Sequence, residues 1–386
     1  MKKYFCRNIS EIFHSRALNL YGVLLALSHV LSAYFWMENS LRLVSAALPL
    51  CWPMMPFCES FRFSDGNNAA LFLYFYAALG LITAVAFYLQ KRVAYFLLAG
   101  LLVLKVYFLS LSYGLMGNYH YMGFIVHLAF LFVPHKKQLI PFIIGIFYWG
   151  AGLLKFNPEW LSGVALVRPS FLSPLLQHLS LIYVVILETI LVFGLFSKKP
   201  LHRYLILGQF FLFHLFSWHI VGYFYPLTMF LLLGLFILIP LGKEPWESYL
   251  DQNLIKNKSS LGLLLLLASL QFIPYMFSKD PATSGAPRLV SLNMLDANVH
   301  CETVLIRNLK NAGEIYDPFI RPPSTRTQCD PIVYLNQIHR ICQNDDGNFD
   351  FWLQSRRSTE SQLQTRLHIK DVCKKSFMAL FWAEIL

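Results

Sequence analysis

Charge is scarce in this chain. Only 14% of its 386 residues are Asp, Glu, Lys or Arg, where a soluble domain carries about 25%. Most of the surface must therefore face something other than water. That excludes a soluble enzyme, a disordered chain and an ordinary nucleic-acid binder. Acid is scarcer than base, with 21 Asp and Glu against 32 Lys and Arg and a net charge of +11. Cytoplasmic loops of a membrane protein carry such an excess, so no nucleic-acid partner need be invoked. Familiar catalytic signatures are missing too. There is no Gly-x-Ser-x-Gly elbow, Walker loop or Gly-x-Gly-x-x-Gly turn. No Cys-x-x-Cys or Cys/His spacing suits zinc, and no internal repeat of the transporter kind stands out.

What is abundant is apolar. Hydrophobic residues make up 56% of the chain and mean hydropathy is +0.50. A membrane-crossing helix needs about 20 mostly apolar residues. Nine segments qualify, at about 18–37, 69–89, 93–113, 119–134, 139–156, 180–196, 204–224, 226–241 and 261–278. The first lies too far from the start, and is too long, for a cleaved signal peptide. The 34 Phe, 20 Tyr and 8 Trp suffice for interfacial belts.

Basic residues set the orientation. They cluster at the N-terminus (Lys2, Lys3, Arg7, Arg16), at Lys91-Arg92, at His135-Lys136-Lys137, at 197–203 and in the 242–260 loop. The last four of these positions follow the second, fourth, sixth and eighth segments. The expectation is an all-α polytopic membrane protein with nine spans, N-terminus inside and C-terminus outside. Residues 1–278 form the membrane domain and 279–386 a small extracytoplasmic α+β domain. Within the latter, 289–308, 349–357 and 364–373 read as strands and 331–343 as a short helix.

Seven cysteines test that partition. Only Cys6 falls inside; Cys51, Cys58, Cys301, Cys329, Cys342 and Cys373 fall outside, where disulfides persist. A Cys51–Cys58 bond would close a short loop. The four tail cysteines allow three pairings, among which sequence does not choose.

Ionisable residues within spans are costly and face a cavity or a partner. Lys105, Glu188 and His214 each sit eight or nine residues from an outer helix end, roughly 12–14 Å deep. Similar depth suggests a Lys105–Glu188 ion pair. His120, Lys155 and His219 lie nearer the outer surface, so the polar set gathers in the outer half of five helices. Simpler roles are available: Lys155 can snorkel to headgroups, and His29, His127, His214 and His219 can pack and hydrogen-bond. His214 and His219 are not spaced as an i, i+4 metal pair and have no third ligand, so no metal is expected.

Tyr148-x-x-Ala151-Gly152-x-x-Lys155-x-x-x-x-Trp160-x-x-Gly163 resembles the central motif of the vitamin K-dependent γ-carboxylases and of their bacterial relatives, the horizontally transferred transmembrane (HTTM) domain proteins. Asn118-Tyr119-His120-Tyr121 is similar to the family's Asn/His element. Phe213-His214, followed by Gly222-x-Phe224, is similar to its downstream histidine element. The likeness covers roughly residues 15–280. It implies Lys155 as the base that deprotonates a reduced quinone of the vitamin K hydroquinone kind, and His120 as a stabiliser of charge. His214 and His219 would stand beside them as further catalytic candidates, and Asn118, Tyr148 and Trp160 would hold the cofactor. It also implies carboxylation or related chemistry at the outer leaflet of a bacterial cytoplasmic membrane, on a secreted protein or peptide substrate. The chain departs from the carboxylases in its tail of about 100 residues, where they carry a large propeptide-recognising region. Two other readings stand beside this one. One is a non-catalytic membrane protein that binds a lipid or transports a small molecule. The other is an assembly factor presenting its tail to a secreted partner.

Overall fold

The computed structural model describes residues 2–46, 50–52, 54–55, 57–166, 170–241, 257–277, 283–294, 298–309, 312–316, 327–345 and 347–380. The fold begins with an amphipathic helix, α1 (Lys2–Phe13), that lies against the bundle. The Tyr4 hydroxyl donates to the carbonyl of Phe132 at 2.6 Å. Then come α2 (Arg16–Asn39), the short α3 (Leu41–Ser45), α4 (Gly66–Tyr88), α5 (Val93–Ser110), α6 (Asn118–Phe132), α7 (Lys136–Leu154) and the short α8 (Pro158–Ser162). They are followed by α9 (Pro174–Thr189), α10 (Pro200–Val221), α11 (Phe224–Leu241), α12 (Lys258–Leu270) and α13 (Ile273–Phe277).

The starts of these helices are written locally. Ser15 caps α2 by accepting from the Leu18 amide at 3.3 Å, and Asp65 caps α4 from the Asn68 amide at 2.8 Å. The α7 N-terminus takes a carboxylate from another helix. Glu11 of α1 accepts from the Lys136 amide at 2.6 Å and from the His135 amide at 3.1 Å. Lys136, in an expected basic loop, is itself buried and donates its ammonium to Asn8 and the Val133 carbonyl.

Among the described residues six helices are long and apolar enough to cross a membrane: α2, α4, α5, α7, α10 and α11. Their outward faces expose Leu71, Phe75 and Val85 on α4, Phe96 and Val103 on α5, and Leu205 and Leu212 on α10. Water would not tolerate so much contiguous apolar surface, and a bilayer requires it. The other three expected spans are shorter helices of 15, 16 and 13 residues, and each stops for a reason. α6 ends before Val133-Pro134, where the residue preceding proline is pushed out of the helical region. α9 tightens into a 3₁₀ helix over Leu191–Phe196. α12 breaks at Gln271 and resumes as α13, whose Pro274 lacks an amide hydrogen. The basic loop 242–260 lies outside the described residues as far as position 256.

The tail builds a four-stranded antiparallel sheet of order β2-β1-β3-β4 from β1 (His300–Leu309), β2 (Ala312–Tyr316), β3 (Phe349–Arg356) and β4 (Gln364–Ile369). Helix α14 (Pro331–Asn344), capped by Asp330, covers one face, and a last turn, α15, spans Phe377–Leu380. Phe349, Phe351 and Leu353 alternate inward on β3 and meet Ile332, Leu335 and Ile338 of α14. The expected strand over 289–308 is corrected. Among its described residues only the part from His300 forms a strand; Ala286–Leu289 form a 3₁₀ turn with Pro287 inside it. β2 was not expected.

Among the described residues there are three disulfides: Cys51–Cys58 as expected, and Cys301–Cys329 and Cys342–Cys373 in the tail. Cys6 is free and exposed. The sheet domain is seated on the bundle. Asn336 receives the Cys51 amide at 3.0 Å and donates to its carbonyl at 2.9 Å, and Trp52 donates to the Leu109 carbonyl at 2.9 Å. The Tyr113 hydroxyl donates to buried Asp330 at 2.5 Å.

Candidate functional site

On α7, Tyr148, Gly152 and Lys155 recur at helical spacing and share one face. Gly152 is what lets that face approach α9. A Cβ there would stand 2.7 Å from Thr189 Cγ2 and 2.9 Å from Glu188 Cβ, closer than real carbons come. The close approach carries Lys155, the C-cap of α7, directly to Glu188, and the two form a hydrogen-bonded ion pair. Their side chains are 5% and 0% exposed. Asn157 caps α8 through the Trp160 amide at 2.8 Å, and this fixes the turn that sets Trp160 over the ammonium. The Lys155 amine lies 5.3 Å from the Trp160 ring centre and 5.9 Å from that of Phe213, within cation–π reach.

Two turns earlier on α7, the Tyr148 hydroxyl and His214 Nε2 of α10 are hydrogen-bonded at 2.7 Å. The Tyr148 ring packs on Phe210 at 4.1 Å. Lys155, Tyr148, Trp160, Asn118 and His219 all line one cavity of about 910 Å³. Its remaining walls are mostly aromatic and aliphatic, among them Phe147, Phe213, Tyr225, Met229 and Met294. Several buried polar atoms in or behind these walls have no hydrogen-bond partner among the described residues: Glu188 Oε1, His219 Nε2 and His214 Nδ1. In a water-poor site such atoms are acceptors and donors held in reserve.

The expected residues are thus only partly brought together. Lys155, Tyr148, Trp160, Asn118 and His219 meet at the cavity, and His214 stands behind Tyr148. His219 also bonds the Phe216 carbonyl through Nδ1 at 2.6 Å. Asn118 is occupied: its amide donates to the Asn293 carbonyl at 2.7 Å and accepts from the Asn293 amide at 3.1 Å. It therefore ties the 283–294 segment to the head of α6. His120 is sealed away from the cavity, its ring enclosed by Trp36, Tyr119 and Phe224 at 5.1, 4.6 and 5.6 Å.

The Lys105–Glu188 pair is corrected. Glu188 belongs to Lys155. Lys105, 3% exposed, reaches Ser32 Oγ at 3.5 Å and lies among His29, His120 and His127. Depth alone does not decide which residues meet. α5 packs on α4 and α6, whereas α9 packs on α7.

Two features of the wall were not expected: the Glu159–Arg357 contact and Arg288. Glu159, buried at the cavity wall, accepts from Thr359 and pairs with Arg357 at 3.5 Å, which latches the β3–β4 turn onto α8. Arg288, in the 3₁₀ turn after α13, also lines the cavity. No local pattern marks either one, because both act across long stretches of chain. Among the described residues no three His, Cys, Asp or Glu are placed to hold a metal ion. Compared with protein-family models, curated proteins and solved structures, the chain matches none.

Proposed function

We propose that this protein is a membrane-embedded enzyme of the γ-carboxylase-like kind, in which Lys155 acts as a base toward a reduced quinone. The observation that carries the reading is the buried Lys155–Glu188 pair on the wall of an aromatic cavity. A lysine that merely snorkels would extend into the headgroups; this one is 4% exposed and faces a cavity.

The residues fit a quinone-type ligand. A volume of about 910 Å³ lies at the upper end of the range for small-molecule sites. Trp160, Phe213 and Tyr148 offer ring faces, and Glu188 Oε1 and His219 Nε2 are buried without hydrogen-bond partners among the described residues. A reduced quinone would supply an acidic phenol and two reducing equivalents. Trp160 and Phe213 would hold its ring. Glu188 would take a proton from the Lys155 ammonium along their existing hydrogen bond, leaving an amine able to accept the phenol's proton. Tyr148, oriented by His214, would hydrogen-bond a second oxygen. Aromatic walls would keep water out and so strengthen every charge interaction in the site.

The reading extends to topology. The nine apolar helices would all cross, with α1 inside and the sheet domain outside, in a bacterial cytoplasmic membrane. The presence of all six disulfide-bonded cysteines on one side of this arrangement supports it. A membrane-impermeant maleimide should label Cys6 only from the cytoplasmic side; labelling of intact cells from outside would overturn the orientation. The functional test is binding of a reduced naphthoquinone to the purified protein in nanodiscs. Wild type should bind and Lys155→Ala should bind at least about tenfold more weakly, which is the loss of one charged hydrogen bond. Equal affinity would refute the assignment.

A further inference from the structure

The second cation on the cavity wall, Arg288, has no carboxylate within ion-pair distance among the described residues. Among the described residues its guanidinium makes no ion pair and no hydrogen bond, and its buried Nε has no partner. Asp330 lies within electrostatic range but is engaged elsewhere. Its oxygens accept the Tyr113 hydroxyl at 2.5 Å and the Ile332 amide at 3.1 Å, and also the Gly285 amide. Lys155, by contrast, is neutralised by Glu188. The cavity therefore presents one unsatisfied guanidinium among mainly apolar walls.

The rim indicates where a ligand comes from. Trp218 and Val221, on the last turn of α10, line the cavity and are also 39% and 41% exposed. They continue the outward apolar face of α10, where Leu212 and Leu215 are 67% and 60% exposed. The mouth thus adjoins the surface that a bilayer covers.

We propose that the cavity binds a long-chain carboxylate drawn from the bilayer, its head on Arg288 and its apolar body along the aromatic walls. A planar guanidinium matches a carboxylate in a two-pronged hydrogen bond. An apolar body fits the aromatic and aliphatic part of the wall, among it Phe147, Phe213, Met229 and Met294. The inference rests on the cavity as a ligand site and not on Lys155 acting as a base, so either can fail alone.

The test uses the full chain in zwitterionic nanodiscs without quinone. Trp160 and Trp218 line the cavity, so a brominated stearic acid bound there quenches tryptophan fluorescence; the matching brominated alcohol is the control. Wild type should bind the acid about 10–100-fold more tightly than the alcohol, as expected for a charge-assisted pair. Arg288→Gln should abolish that preference and leave alcohol binding intact. If Arg288→Gln does not fold, Arg288→Lys carries the test. It keeps the charge but loses the fork, so acid affinity should fall several-fold with alcohol binding unchanged. Equal binding of acid and alcohol by wild type, or a preference that survives either Arg288 substitution undiminished, overturns the proposal. So does displacement of the acid by equimolar acetate or inorganic phosphate, which would mark a soluble-anion site.

Discussion

Replacing one member of the Lys155–Glu188 pair should cost far more than replacing both. Removing one partner of a buried ion pair leaves a bare charge, at about 3–5 kcal/mol. The two single variants should not be equal. In Glu188→Gln the ammonium remains 5.3 Å from Trp160 and 5.9 Å from Phe213 and borders a cavity. Cation–π contact offsets about 1–2 kcal/mol, so a loss near 3 kcal/mol is expected. In Lys155→Met the carboxylate is left with 0% exposure, and Oε1 already lacks a partner. Here the loss should approach 5 kcal/mol. The double variant Lys155→Met/Glu188→Gln restores neutrality and should recover at least about 2 kcal/mol of the summed losses, a coupling of the size contacting residues show. Lys105→Met with Glu188→Gln is the control and should be additive within about 0.5 kcal/mol. Thermal unfolding and the monodisperse fraction in detergent read all six proteins: wild type, the three single variants (Lys105→Met included) and the two doubles. Additive losses for Lys155 and Glu188, or coupling between Lys105 and Glu188, would refute the packing of α7 on α9 described above.

Asp330 lies in the C-terminal sheet domain, and burial holds its carboxyl above the usual aspartate range, against the Tyr113 hydroxyl, Arg288 and two backbone amides. The folded state therefore keeps this proton to higher pH than the unfolded chain does. Stability is full below about pH 4, where both states are protonated, and declines as pH rises through the elevated value. Asp330→Asn, which retains the α14 cap, should flatten that decline, as read by hydrogen exchange of α14 against pH. Gly152→Val would drive a Cβ to within 3.2 Å of the Glu188 backbone carbon, which a side-chain rotation does not relieve; a loss of about 1–3 kcal/mol is expected, together with weakened quinol binding. The Cys342–Cys373 bond closes a separation of 31 residues and Cys51–Cys58 one of 7. Replacing each pair by Ser should cost about 3–4 and about 2–3 kcal/mol respectively, and differential scanning of the two variants should preserve that order.

Much of the bundle was readable because long apolar runs have little alternative to a helix. The six span-length helices, α6, α9 and α12 all fall within the apolar segments expected for them, give or take a few residues. The Tyr148–Lys155 face was legible as well, since spacing on one helix fixes which residues point together. What sequence does not carry is the rotation of one helix against another. Lys105 and Glu188 share a depth but face different neighbours, while Lys155 and Glu188 meet because Gly152 removes the side chain between their helices. The same limit hid Glu159–Arg357 and Arg288, whose partners or surroundings come from the tail. β2 escaped because a five-residue strand containing Gly313 carries almost no alternation.

The most direct test of the central claim is oxygen uptake driven by a reduced naphthoquinone in nanodiscs that hold wild type or Lys155→Ala. If Lys155 is the base, wild type should speed uptake above empty nanodiscs and Lys155→Ala should fall back at least about a hundredfold toward the uncatalysed rate, the usual scale of a lost general base. Uptake by Lys155→Ala equal to wild type, with both above empty nanodiscs, would contradict the account.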